Sequence, residues 1–215
     1  MKTIPAMYEV AAILQADGLC FAYPQRPASR LFDGLSIALS PGVTLICGDE
    51  SSGKTTLLKL LAGTLPATGQ LRIKGMSLAE NRAAYQSQLA WLDPRDDALD
   101  QQTARQIFSA LPQAHAGGEP GELQAHIEGL SLSDHLDKAL YMMSTGTRRK
   151  VLLAAALAAH STVTLLDQPF MALDRPSIDY LLGLLAQAAG HQSRAWVVAD
   201  YEAPMGVALA GVIRL

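Results

Sequence analysis

The chain has 215 residues, of which 49% are hydrophobic and 17% charged, with a formal net charge of -3. That composition suits one large domain, or a core with one smaller lobe, and speaks against a chain-wide attraction to nucleic acid or anionic lipid. Two cysteines, Cys20 and Cys47, form no CxxC pair or disulfide framework and follow no signal-peptide pattern, so a reducing compartment such as the cytosol is expected.

Met1 to Ala6 shows no pattern and reads as a loose tail. Ile13 to Tyr23 reads as a strand that stops at Pro24, and Leu31 to Leu39 as a second strand closed by the turn Ser40-Pro41-Gly42. Val43 to Cys47 is a short apolar run of β-formers, the pattern of a buried parallel strand. Lys54 to Ala62 has helical spacing and ends at Gly63. Gln70 to Ile73 is a further strand, and Asn81 to Leu92 is ambiguous. Pro94 to Met143 reads as a mostly helical insertion, with a helical piece at Thr103 to Ala110. A helix follows at Thr145 to Ala159, a buried strand at Thr162 to Leu166 ending on Asp167, and a helix at Pro176 to Ala189. A core strand at Ala195 to Ala199 and a last short strand at Val212 to Leu215 complete the chain. Alternating strands and helices imply a parallel α/β sheet. The longest apolar run, Val151 to Ala159, has nine residues. About 20 are needed to cross a bilayer, so any membrane role requires a partner.

Between the third strand and the first helix stands Gly48-Asp49-Glu50-Ser51-Ser52-Gly53-Lys54-Thr55, followed by Thr56. It meets the P-loop spacing G-x-x-x-x-G-K-[ST] in the strand-loop-helix context that the motif requires. Glycines let successive N–H groups turn inward toward phosphate oxygens, and the helix adds its positive end. Lys54 is expected on the β- and γ-phosphates of ATP and Thr55 on Mg²⁺. Asp167, at the end of a buried strand, is the second candidate for the metal.

With these motifs in place, the chain resembles the ABC ATPase family along nearly its whole length. GDESSGKTTLLKLLAG looks like that family's Walker A and following helix, and LFDGLSIALSPG like the strand pair before it. MSTGTRRKV (Met143 to Val151) resembles the signature segment, LLDQPFMALD (Leu165 to Asp174) the Walker B and D-loop region, and WVVADY (Trp196 to Tyr201) the strand leading to the switch histidine. The resemblance implies a P-loop NTPase core with a mostly parallel sheet, an N-terminal antiparallel β part and a helical subdomain. Residues 7–93 and 144–215 would form the nucleotide-binding core and 94–143 the helical subdomain. Tyr23 falls where the family stacks an aromatic on adenine. Two such domains would pair head to tail, with Ser144 and Gly146 of one facing the γ-phosphate held by the other. The free N–H groups at the helix start near Thr145 would serve that anion. Of the three cations that follow, Arg148, Arg149 and Lys150, at least two are expected on a solvated helix face. Partners implied are a second cassette, of the same or another chain, and a transmembrane permease subunit that holds the domain on the inner face of the cell membrane. Nucleic acid is not expected.

Three positions depart from the family. Gln168 stands at the catalytic glutamate, and a glutamine can orient water but cannot take its proton. Tyr201 stands at the switch histidine, and a phenol cannot become a cation at neutral pH. The Q-loop glutamine would fall near Asp93 or Pro94, and neither matches. Glu50 and Ser51 also replace the usual Asn and Gly of the loop, and Thr145 and Thr147 replace a glycine and a glutamine of the signature. The reading is therefore an ATP-binding subunit of an ABC transporter with Lys54, Gln168 and Tyr201 at the chemistry and hydrolysis impaired. A catalytically weak regulatory subunit and a soluble ABC ATPase are the alternatives.

Overall fold

The computed structural model describes residues 12–91, 93–111 and 121–215. The expected tail at Met1 to Ala6 lies outside them, as do residues 112–120 of the expected helical insertion.

The chain runs β1 (Leu14–Ala22), β2 (Arg30–Leu39), β3 (Gly42–Cys47), α1 (Lys54–Leu61), β4 (Thr68–Ile73), β5 (Met76–Ser77), α2 (Arg82–Gln86) and β6 (Leu89–Ala90). Then come α3 (Ala104–Ser109), α4 (Glu122–Gly129), α5 (Thr145–Ala158), β7 (Val163–Asp167), α6 (Arg175–Ala188), β8 (Ala195–Asp200) and β9 (Leu209–Arg214). The segment expected to be ambiguous, Asn81 to Leu92, holds the short α2 and β6, too brief for periodicity to register. The last strand begins at Leu209, three residues before the expected Val212. Its exposure alternates, unlike the wholly buried β7, so a search for apolar runs misses its first half.

Two sheets share the work. β6, β7, β8, β3 and β9 lie in that order, every neighbouring pair parallel. β2, β1, β4 and β5 form a separate antiparallel sheet. Alternation along β8 divides the interior. Ala195, Val197 and Ala199 enter one core, with α1 and the antiparallel sheet, while Trp196 and Val198 enter the other, with α3 to α6. This is the period-two geometry of a strand buried on both faces. Parallel connection brings the C-terminal ends of β3, β7 and β8 to one edge, the edge where open α/β sheets hold ligands.

The helix α1 is almost wholly interior: Leu57, Leu58, Leu60 and Leu61 are all fully buried. Gly63, with φ 67°, ends it by donating its N–H to Leu60. On the opposite side of the parallel sheet, α5 begins at Ser144, whose hydroxyl oxygen accepts the Thr147 N–H at 3.1 Å, and α6 begins at Asp174, which caps Ser177 in the same way. Residues from α3 and α4 pack into the same core as α5 and α6, so the helical segment is fused to the sheet through shared apolar contacts. Among the described residues no helix is long and apolar enough to cross a membrane.

Candidate nucleotide site

The P-loop begins where β3 ends. Gly48 has no room for a side chain: a Cβ there would lie 2.6 Å from the Ser52 hydroxyl and 2.8 Å from the Leu215 carbonyl. Gly53 is left-handed, with φ 104°, and forms the N-terminal boundary of α1. Ser51 is also left-handed, with φ 61°. A glycine is common there because that conformation costs an L-residue about 1–2 kcal/mol, a cost this chain carries. Asp49 and Glu50 are exposed, so Glu50 has access to solvent for its charge.

A cavity of about 580 Å³ opens over this loop. Tyr23, Glu50, Ser51, Ser52, Gly53, Lys54, Thr55 and Thr56 line it from one side, and Gln168, Met171 and Tyr201 from the other. Lys54 is buried, and its Nζ donates to the carbonyls of Gly48 at 2.6 Å and Asp49 at 2.8 Å. The Tyr201 ring covers it, with Nζ 4.3 Å from the ring centroid. Thr55 donates its hydroxyl to Asp167 Oδ2 at 2.8 Å. The other oxygen, Asp167 Oδ1, is buried without a hydrogen-bond partner, and burial pushes the carboxyl above its ordinary pKa. A half-satisfied buried carboxylate beside a threonine hydroxyl is the donor set that a Mg²⁺ ion would complete. Asp200, at the end of β8, is likewise raised by burial and accepts the Tyr201 N–H at 2.8 Å.

Tyr23 packs edge-on against Phe21, with ring centroids 5.0 Å apart, and its hydroxyl bonds with Thr56 Oγ1. Its ring is thus fixed beside the cavity while 44% of the residue remains exposed. Gln168 is buried and left-handed, with φ 46°, and its N–H donates to Ala199 at 2.8 Å. This backbone locks the end of β7 against β8 and turns Gln168 to the cavity.

The structure does not bring Ser144 and Gly146 to this cavity. Ser144 is exposed at the N-terminus of α5, where its hydroxyl meets both the Thr147 N–H and, at 2.9 Å, the Thr147 hydroxyl. One of the donors expected to be free at this helix start is therefore taken. Gly146 has an intrachain reason to be glycine: a Cβ would lie 2.4 Å from the Ala172 carbonyl.

The expectation that at least two of Arg148, Arg149 and Lys150 lie on a solvated face is wrong. Arg148 bonds to the Pro94 and Asp96 carbonyls and to Asp100 at 2.7 Å. Arg149 donates to the carbonyls of Asp167, at 3.0 Å, and Gln168. Lys150 is buried and pairs with Asp174 at 2.7 Å; that contact and the Ser177 cap hold the Asp174 carboxyl down at about 2. The reason is geometric. Three consecutive helical residues point about 100° apart, so they cannot share one face, and here each meets a different loop.

One residue at the site was missed. Arg95 lines the cavity, and its Nη1 donates to Thr55 Oγ1 at 3.4 Å. Asp93, at the expected glutamine position, is occupied elsewhere: it pairs with Lys59 at 2.7 Å and accepts the Arg95 N–H at 3.0 Å. A search for glutamine at 93 or 94 passes over the cation one residue further on.

A sequence profile of the ABC transporter family matches residues 32–171. The chain is 35% identical over 175 residues to the cytochrome c biogenesis ATP-binding export protein CcmA of Pseudomonas putida KT2440, covering 80% of this chain and 82% of that one. It is 33% identical over 218 residues to the cobalt import ATP-binding protein CbiO of Rhodobacter capsulatus, covering 94% and 75%. A solved ATP-binding subunit of an ABC transporter superposes with a TM-score of 0.73 at 20% identity, over 87% of this chain and 79% of the other, which supports the fold. The profile, the relatives and the P-loop geometry agree: the chain belongs to the ABC transporter family, as an ATP-binding subunit.

Proposed function

We propose that this cassette binds Mg-ATP in the cavity over the P-loop, pairs head to tail with a second cassette, and passes the closure to a separate transmembrane subunit. It would act on the inner face of the cell membrane. The observation that carries the reading is that Lys54 and Thr55 line one cavity at the start of α1 while the Thr55 hydroxyl bonds to the buried Asp167. In this reading Tyr23 stacks on the adenine, the P-loop amides from Gly48 to Thr56 hold the phosphates, and Lys54 leaves its two carbonyl partners for the β- and γ-phosphates. Thr55 and Asp167 would hold Mg²⁺, which supplies charge neutralisation at the phosphates. Ser144 and Gly146 lie outside the cavity of their own chain and would face the nucleotide of the partner cassette. Residues 94–143 would form the helical arm, linked to the site through Arg148 and the 94–100 loop.

Hydrolysis by this site is slow in this reading. Gln168 can hold a water but offers no carboxylate to take its proton, and Tyr201 offers no imidazole. A weak cassette that supports a more active partner is favoured by this same pair of residues. The test is nucleotide binding by titration of the purified chain, followed by turnover. Lys54→Ala should weaken ATP binding about 100-fold or more, since a charge-assisted contact to each of two phosphates is lost. Equal affinity in both proteins would overturn the assignment of this cavity to nucleotide. Rapid turnover in the unsubstituted chain would overturn the weak-cassette reading.

A further inference from the structure

Arg95 lines the same cavity but takes no part in the proposed contacts to ATP or Mg²⁺. It sits on a loop that is tied down from several sides. The Asp93 carboxylate bridges Lys59 of α1 and the Arg95 N–H, and Arg148 of α5 grips the Pro94 and Asp96 carbonyls and Asp100. The loop is thus pinned between the helix that starts at the P-loop and the helix that starts at the signature, with Arg95 aimed into the cavity. Its guanidinium reaches Thr55, whose hydroxyl in turn bonds to Asp167. It faces Asp167 as an attractive charge and Arg149 as a repulsive one.

Gln168 is neutral and Tyr201 is neutral. The cavity is lined by the cations Lys54, Lys59 and Arg95 and by the exposed carboxylate Glu50, with Asp167 bonded to Thr55; Lys59 is paired with Asp93, so Lys54 and Arg95 are the lining cations that no carboxylate neutralises by an ion pair among the described residues. The two cations are set apart: Lys54 is held by the P-loop carbonyls, and Arg95 stands on the Thr55 and Asp167 side. A guanidinium suits a phosphate with two free oxygens, because its planar fork can donate twice.

We propose that Arg95 is a specificity-determining residue that grips the terminal phosphate of a nucleoside triphosphate, so that the site favours ATP over ADP and holds ATP with reduced dependence on Mg²⁺. This rests on the cavity being the nucleotide site. The Arg95 fork would move from the Thr55 oxygen to the phosphate when ATP enters, supplying positive charge that Mg²⁺ would otherwise have to supply. ADP, lacking that phosphate, gains little from it.

The experiment is equilibrium binding of ATP and ADP to the purified chain, each in excess Mg²⁺ and with Mg²⁺ chelated, for the unsubstituted protein and for Arg95→Ala, Arg95→Gln, Arg95→Lys and Lys54→Ala. A charge-assisted contact of this kind corresponds to about a 10- to 100-fold change in affinity. With Mg²⁺ chelated, Arg95→Ala and Arg95→Gln should lose ATP affinity by that factor while ADP affinity changes less than about 3-fold. Arg95→Lys should keep part of the preference, since the charge remains and the fork is lost. Equal weakening of ATP and ADP, or no change in either, overturns the proposal. Melting temperatures of the nucleotide-free proteins check folding, and Arg95 is exposed enough for all three variants to fold. Failure of the site reading looks different: nucleotide binding would then be insensitive to Lys54→Ala as well.

Discussion

The two walls of the nucleotide cavity are built on different terms. On the P-loop wall, Gly48, Gly53, Lys54 and Thr55 meet the phosphate-binding pattern residue by residue, and the backbone has the left-handed turn and close approach that the pattern requires. On the facing wall the scaffold is equally well defined, with Gln168 just after β7 and Tyr201 just beyond β8, and under the proposed function these two would stand where proton-handling side chains are needed. Holding phosphate depends on backbone amides and one cation, which the first wall supplies. Cleaving it depends on positioned side chains of the second wall. Under the proposed function, binding and cleavage would diverge in one cavity without disturbing the fold.

Restoring the second wall is the sharpest way to break this contrast. Gln168→Glu puts a carboxylate at a buried position already turned to the cavity by its left-handed backbone. Arg149, which donates to the Gln168 carbonyl, and Lys54 and Arg95, which line the same cavity, offset the added charge. General-base assistance is worth about 10²- to 10⁴-fold, so single-turnover hydrolysis should rise by at least about 10²-fold while ATP affinity stays within a few-fold. Unchanged turnover would place the block at Tyr201 or the 93–95 loop instead.

The same contrast explains what could be read beforehand. The P-loop was legible because its chemistry is local: eight residues carry the glycines, the lysine and the threonine, and a buried strand before them sets the context. The place of Asp167 at the end of a buried strand was legible because a carboxylate closes an apolar run. Arg95 was not, since its contact with Thr55 spans 40 positions and depends on how a loop folds back over α1. The cations 148–150 were misjudged for a related reason. Charge on a helix predicts solvent only where nothing polar is packed above it, and here the backbone carbonyls of 94, 96, 167 and 168 are what the arginines meet. The end of β9 was found and its start missed, because alternating exposure weakens the apolar signal.

A smaller effect tests how the signature segment is joined to the second wall. Gly146 lies under the Ala172 carbonyl, and Ala172 is itself left-handed, with φ 60°. Gly146→Ala would force the start of α5 away from the turn after β7. Overpacking of this kind costs about 1–3 kcal/mol, and in a chain of this size each kcal/mol lowers the melting temperature by roughly 2–4 °C. A clear fall in melting temperature of the isolated, nucleotide-free chain is the expected result. An unchanged melting temperature would mean that the start of α5 can shift without cost and that the close approach to Ala172 does not require glycine.

The smallest effect concerns the helical side, away from ATP. His126 of α4 is buried, with Nδ1 2.8 Å from the Tyr180 hydroxyl of α6 and Nε2 without a hydrogen-bond partner. Burial lowers its pKa below the ordinary 6.5, Glu122 at 3.9 Å pulls it upward, and His160 adds to the lowering. Above pH 6.5 the folded and unfolded chains both hold a neutral imidazole, and no stability is lost. As pH falls below 6.5 the unfolded chain takes the proton first, so stability declines until the folded pKa is passed. One group can contribute a slope of at most about 1.4 kcal/mol per pH unit. His191 is shifted in the same direction by burial and Arg194, so the total slope has more than one source. The depressed Asp174 carboxyl contributes only below about pH 4, outside this window. His126→Phe keeps the buried volume but cannot titrate, and it gives up the bond to Tyr180. Its melting temperature should be lower at pH 7.5 yet fall less steeply toward pH 5.5 than that of the unsubstituted chain. Parallel curves would show that His126 takes its proton as easily folded as unfolded, and that the junction of α4 with α6 is insensitive to acid.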